Sequence, residues 1–245
     1  MDGQRIAMWS GPRNISTAML RSWGARSDTF VTDEPLYSHY LDETKLDHPG
    51  ADEVITAHDR DWQRVTAWLT GEIPQQKTIW YQKHMAHHLL DDVGRDWIMQ
   101  LTNAFLIRDP APMVVSLSKV LPNPTLPETG LPQQVELFDR LTSANGNIPP
   151  VVLAKDVLRN PAGMLHALCN SLGVPYSDEM LSWQPGRRET DGVWAKHWYA
   201  NVEASTGFEP YAEKHVDVPE RLVPLVRECD RLFEHLYNHK IEPLT

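Results

Sequence analysis

The chain has 245 residues, 41% of them hydrophobic, which is enough to bury a sizeable core and falls in the size range of one α/β domain. A formal net charge of −10 rules out the broad basic field that a nucleic-acid or anionic-membrane binder needs, so any anionic ligand must be held by local donors. No window approaches the roughly 18 consecutive apolar residues of a membrane span, and Met1-Asp2-Gly3-Gln4-Arg5 is not the start of a signal peptide, so a soluble, cytoplasmic protein is expected.

In chain order, Arg5-Ile6-Ala7-Met8-Trp9 predicts a short buried strand, followed by a helix over 16–23 that Gly24 stops. Four more short apolar strands are predicted at 29–32, 78–81, 104–107 and 151–154. Helices are predicted at 59–69, 86–92, 110–119 with Pro110 at its start, 133–143, and 160–172 ended by Gly173. A final amphipathic helix over 219–239 gathers Leu222, Val226, Cys229, Phe233 and Leu236 on or near one face. Cys169 and Cys229 are the two cysteines, both in apolar helical patterns, and read as reduced core residues.

Strands alternating with helices imply crossover connections and a parallel sheet, hence a single α/β domain over 1–245 with helices flanking a central parallel sheet. Two segments break the alternation. Residues 120–132 carry Pro122, Pro124, Pro127 and Pro132, and residues 183–207 are rich in Trp, Gly and charge. Both read as long ordered lid or substrate loops.

The first strand runs into Ser10-Gly11-Pro12-Arg13-Asn14-Ile15-Ser16-Thr17. A helix start leaves backbone N–H groups unpaired and carries partial positive charge, and a small residue lets the backbone approach an anion. Gly11 supplies the small residue, Arg13 a fixed cation, and Ser16 and Thr17 hydroxyl donors. The run has no Gly-Lys-Ser/Thr ending, which disfavours the Mg²⁺-dependent triphosphate site of a P-loop kinase or nucleotide hydrolase. Taken alone, the same residues also read as a helix cap after a Gly-Pro turn, or as the binding loop of a non-catalytic nucleotide module.

Leu106-Ile107-Arg108-Asp109-Pro110 then places an arginine at a strand end, and Ser116 follows eight positions later on the next helix. Together the two segments resemble the sulfotransferases that use 3′-phosphoadenosine 5′-phosphosulfate, in the cytosolic and bacterial branches. That resemblance implies that Gly11, Pro12, Arg13, Asn14, Ile15, Ser16 and Thr17 form the 5′-phosphosulfate loop, and that Arg108 and Ser116 hold the 3′-phosphate. Lys155-Asp156-Val157-Leu158 is similar to a Glu-Asp-Leu segment of the family, with Lys155 in place of the glutamate, and Leu172-Gly173 fits the end of its following helix. Residues 186–194 resemble the family's nucleotide lid in composition but not in order, which makes Arg187 and Arg188 candidate 3′-phosphate ligands. The implied function is sulfonate transfer to a hydroxyl or amine of a small molecule, with no metal.

Sulfonate transfer needs an acceptor stripped of its proton and cations near the leaving phosphate. Glu34, in Asp33-Glu34-Pro35, follows the second strand at the sheet's carboxyl edge, where open α/β sheets bind ligands, and some branches of the family have a catalytic glutamate at a similar Glu-Pro segment. Glu34 is therefore the expected general base. Lys83 and His84, expected just beyond the third strand, match the cation and the base of other branches, with His87 a further rival. His84 and His88 one helical turn apart would also suit a metal, but no carboxylate or thiolate partner accompanies them. Trp183, Trp194, Trp198 and Tyr199 gather in the second loop, as core or as an aromatic wall for adenine or for an acceptor, including a cationic one.

Overall fold

Short strands that are apolar on both faces need helices above and below them, and this chain folds to provide both. The computed structural model describes residues 3–213 and 215–244. Strand β1 (Gln4–Ser10) leads into helix α1 (Ser16–Gly24), then β2 (Thr29–Asp33), α2 (Tyr37–Thr44), α3 (Ala51–Ala57) and α4 (Trp62–Leu69). Strands β3 (Ile79–Met85) and β4 (Thr102–Ile107) follow, then α5 (Pro110–Leu117), α6 (Leu131–Asn145) and β5 (Val151–Leu153). The chain closes with α7 (Ala154–Arg159), α8 (Pro161–Leu172), α9 (Ala195–Trp198), α10 (Ala200–Ala204) and α11 (Val223–Tyr237).

The five strands form one parallel sheet in the order β2-β3-β1-β4-β5. Alternation along each strand sends Ile6, Met8 and Tyr81 to one face, where α1 and α8 pack through Met19, Trp23 and Leu165. Ala7, Trp9, Trp80 and Phe105 go to the other, under α4, α5, α6 and α11. A third cluster joins α2 and α3 to residues 193–202 through Tyr37, Tyr40, Val54, Trp194 and Tyr199. It stands beside the sheet's carboxyl edge. Cys169 and Cys229 are both buried free thiols. Among the described residues no helix is long and apolar enough to cross a membrane.

The pattern at Gln82-Lys83-His84 ends the third strand at Tyr81, and here the structure differs. β3 continues to Met85, and the expected helix at 86–92 is only a 3₁₀ turn at Ala86–His88. Polar residues are tolerated in this interior strand because each is provided for: Gln82 Nε2 donates to the Leu69 carbonyl at 2.8 Å, Lys83 is ion-paired, and His84 stacks on Trp9. The loop segments also hold more structure than expected, with α9 and α10 inside 183–207 and a 3₁₀ turn at Pro127–Thr129 inside 120–132.

Candidate active site

At the carboxyl edge, β1 feeds α1 on one face of the sheet while its neighbour β4 feeds α5 on the other, so a crevice opens between their ends. A cleft of about 670 Å³ lies there, with residues 12–17 along one side. No side chain caps α1, which leaves its first amides as donors beside Ser16 and Thr17. Asn14 braces the turn instead. Its Oδ1 accepts from the Ile15 amide at 2.8 Å and its Nδ2 donates to the Leu106 carbonyl at 3.1 Å. Gly11 lies behind the loop, where a Cβ would fall 2.5 Å from the Thr129 carbonyl oxygen, so only glycine lets the two segments touch.

Arg13 and Arg108 meet across this crevice. Arg13 Nε donates to Ser116 Oγ at 3.1 Å, and Arg108 Nη1 donates to the Arg13 carbonyl oxygen. Both arginines line the cleft, while Ser116 stands behind Arg13. Burial, and then the like charge of Arg13, pull the Arg108 guanidinium below its usual pKa, a penalty that an anion between them would relieve. Arg13 has a left-handed backbone, with φ 56°, and so has Glu34, with φ 41°. Such conformations cost a non-glycine residue on the order of 1–3 kcal/mol and cluster at functional sites; both of these residues line the cleft.

Glu34 belongs to a buried polar network built by strand register. Asp33 on β2 is paired directly with Lys83 on β3, and Lys83 Nζ donates to Asp33 Oδ1 at 2.8 Å, to Glu34 Oε1 at 2.5 Å and to the Tyr199 hydroxyl at 2.9 Å. That hydroxyl donates in turn to Asp33 Oδ2 at 2.6 Å and accepts from Trp194 Nε1 at 3.2 Å. The side chains of Lys83 and Asp33 are each 1% exposed and that of Glu34 is 13% exposed, so Glu34 is the carboxylate through which the network reaches the cleft. Burial raises the Glu34 carboxyl above its usual pKa; Lys83 opposes this and Asp33 adds to it. For Lys83 burial acts downward, but Asp33 and Glu34 outweigh it and hold the ammonium well above its usual value. Asp33 is a site residue that the sequence pattern does not single out, although its place beside Glu34 at a strand end was the available signal.

The facing wall is aromatic. The His88 ring stacks on Tyr37 and on Tyr40, each at 4.7 Å between centroids, and His48 lies 6.1 Å from Trp198. Trp198 and Tyr199 line the cleft, Trp194 is buried behind Tyr199 and Tyr37, and Trp183 is buried against Phe208. Burial pushes His87 to about 3 and His88 well below its usual value, so both rings are neutral at physiological pH.

Five of the expected site residues do not line the cleft: Gly11 and Ser116 stand behind it, Ser116 against Arg13 and not in reach of a 3′-phosphate there, while His84, Arg187 and Arg188 lie away from it. Because β3 runs on to Met85, Lys83 and His84 point to opposite faces of the sheet. His84 stacks on Trp9 at 4.4 Å, its Nε2 is 3.3 Å from Gln82 Oε1, and burial pushes it to about 3. Arg187 stands 3.9 Å from Glu203, and Arg188 turns back on its own loop, donating to the Gln184 carbonyl. Among the described residues no group of three or more His, Cys, Asp or Glu is arranged to hold a metal.

The sequence profile described as a sulfotransferase domain matches residues 4–226. The chain belongs to the sulfotransferase domain family. Its fold agrees with those of solved sulfotransferases. A sulfotransferase from Alicyclobacillus acidocaldarius superposes with a TM-score of 0.58 at 12% identity, over 98% of both chains. The sulfotransferase domain of the Synechococcus PCC 7002 olefin synthase gives 0.55 at 16% identity, over 93% of this chain and 95% of its own. In sequence, the chain is 34% identical over 227 residues to branched-chain-amino-acid aminotransferase-like protein 1 of Arabidopsis thaliana. That match covers 90% of this sulfotransferase-family chain but spans only 40% of the relative's length.

Proposed function

We propose that the chain transfers a sulfonate group from 3′-phosphoadenosine 5′-phosphosulfate to a hydroxyl or amine of a small-molecule acceptor in the cytoplasm. The observation that carries this reading is that the Glu34–Lys83 pair opens into the same cleft as Arg13, Arg108 and the uncapped start of α1. In this reading Arg13, the α1 amides, Ser16 and Thr17 bind the 5′-phosphosulfate, and Arg108 holds the 3′-phosphate with Ser116 steadying Arg13. Glu34 takes the proton from the acceptor as its oxygen or nitrogen bonds to sulfur. The bond from sulfur to the 5′-phosphate oxygen breaks, and its electron pair stays on that oxygen, where the cations and amides stabilise it. Lys83 holds Glu34 in place and adds positive charge to the floor of the site. The chemistry needs no metal.

Calorimetry with adenosine 3′,5′-bisphosphate and adenosine 5′-monophosphate tests the donor assignment. The wild type is expected to bind the bisphosphate, and Arg108→Ala to weaken that affinity roughly ten- to a hundredfold, the loss of a charge-assisted hydrogen bond. The monophosphate should be affected much less. Equal losses for both nucleotides would remove Arg108 from the 3′-phosphate, and no bisphosphate binding by the folded wild type would sink the donor reading itself.

A further inference from the structure

The charges around the cleft are unevenly placed. Arg13 and Arg108 stand together at the β1 and β4 end. Lys83 contributes no free donor, because its three N–H groups go to Asp33, Glu34 and Tyr199. The rest of the lining includes the aromatic residues Tyr37, Tyr40 and Trp198 and the three histidines His48, His87 and His88. Burial lowers all three imidazoles below their usual values, so this wall gains no positive charge from them, and Trp198 is its half-buried ring while Tyr37 and Tyr40 reach it from packed positions.

Glu128, from the proline-rich loop between α5 and α6, adds a carboxylate to that wall. Its Oε2 accepts from the Thr125 amide at 2.7 Å and the Thr125 hydroxyl at 2.8 Å, both uncharged donors. Its negative field reaches the wall itself: after burial it is what raises the Tyr40 hydroxyl, to about 12, and it opposes the burial that lowers His48. A carboxylate among aromatic rings attracts organic cations through both its charge and the ring faces. An acceptor carrying a carboxylate or sulfate would meet Glu128 and Glu34 with, among the described residues of this wall, no free cation to answer it, which selects against anionic acceptors.

We infer that the acceptor end of the cleft takes a hydroxylated organic cation, whose ammonium group rests against Glu128 and the Tyr37, Tyr40 and Trp198 rings while its hydroxyl is presented to Glu34. The assignment of donor and acceptor ends rests on the sulfonate-transfer reading above. The recognition of a cation at the Glu128 wall rests on the wall alone.

Choline and 3,3-dimethyl-1-butanol separate charge from shape, since the second keeps the outline of the first with carbon in place of nitrogen. Their binding to the whole chain is read by chemical-shift titration, with and without adenosine 3′,5′-bisphosphate. Choline is expected to bind about tenfold more tightly than its isostere, equivalent to about 1.4 kcal/mol. Glu128→Gln should reduce that ratio to roughly twofold, with the variant's thermal melt as the check on folding. Equal or tighter binding of the isostere, no binding of choline, or an unchanged ratio in Glu128→Gln would overturn the inference; should the variant not fold, the wild-type ratio decides alone. Choline selectivity without bisphosphate binding would sink only the donor reading. Bisphosphate binding without choline selectivity would sink only the cation site.

Discussion

A carboxylate is useful as a base near neutral pH when its pKa is lifted out of the ordinary range without the loss of its access to substrate. Glu34 meets both conditions. Burial lifts it, Asp33 adds to the lift, and Lys83 limits it, while 13% of its side chain stays open. A base works only when deprotonated, so with Glu34 in the proposed role activity is expected to rise with pH through its raised pKa. The acid limb of the kcat/KM profile is therefore expected above 4.5, the ordinary value for the group. Glu34→Gln should abolish that limb and lower kcat by about 10²- to 10⁴-fold in a labelled-donor assay. A limb that persists in the variant would assign the proton transfer to another group. Glu34 is legible in the sequence because a carboxylate directly after a strand must lie at the sheet edge. Tyr199 takes part only because a segment 116 residues away folds back onto Lys83, and no local pattern announces that.

Elements position these residues, and the contact between α1 and the 183–207 segment decides how firmly. Arg21 on α1 and Asp191 in the segment form a bidentate ion pair at 2.5 and 2.7 Å, with side chains 3% and 0% exposed. Asp191 also accepts from the Arg188 amide at 2.8 Å, so it ties α1 to the segment that carries Tyr199. Removing one partner strands a buried charge, whereas replacing both with apolar residues removes the desolvation penalty as well. Asp191→Asn should lower the unfolding free energy in urea by about 3–5 kcal/mol, and the double variant Arg21→Met with Asp191→Leu should recover most of it. A double variant no more stable than the single one would mean that packing, not the uncompensated charge, dominates there. The pair itself was beyond sequence reasoning, because the partners are separated by 170 positions. The order of the five strands and of α1, α4, α5, α6, α8 and α11 was legible because apolar runs and glycine stops mark it, whereas α2, α3 and α7 were not anticipated. The strand whose extent was most misjudged, β3, is the one whose buried polar residues are satisfied by tertiary partners.

At the scale of the molecule, the cleft belongs to no single part of the chain. Its lining begins at Pro12 and ends at Glu209, with contributions from the ends of β1, β2, β3 and β4 and from both long loops. A ligand held there is bound only when all of these segments are in place, so its binding energy adds to the stability of the whole fold and not of one lobe. For a ligand that binds only the folded state, a concentration of about 100 times Kd adds about 2.7 kcal/mol. In a domain of this size each kcal/mol moves the midpoint by roughly 2–4 °C, so adenosine 3′,5′-bisphosphate at that excess should raise Tm by roughly 5–10 °C. Because the sheet, α1 and residues 193–202 share the site, the calorimetric peak is expected to move as one transition. A peak that splits, with only its upper part shifted by the nucleotide, would show that the 183–209 region unfolds independently and that the bisphosphate does not need it. In that case the contact of Tyr199 with Lys83 would form independently of donor binding, and the nucleotide would not stabilise the Glu34 network.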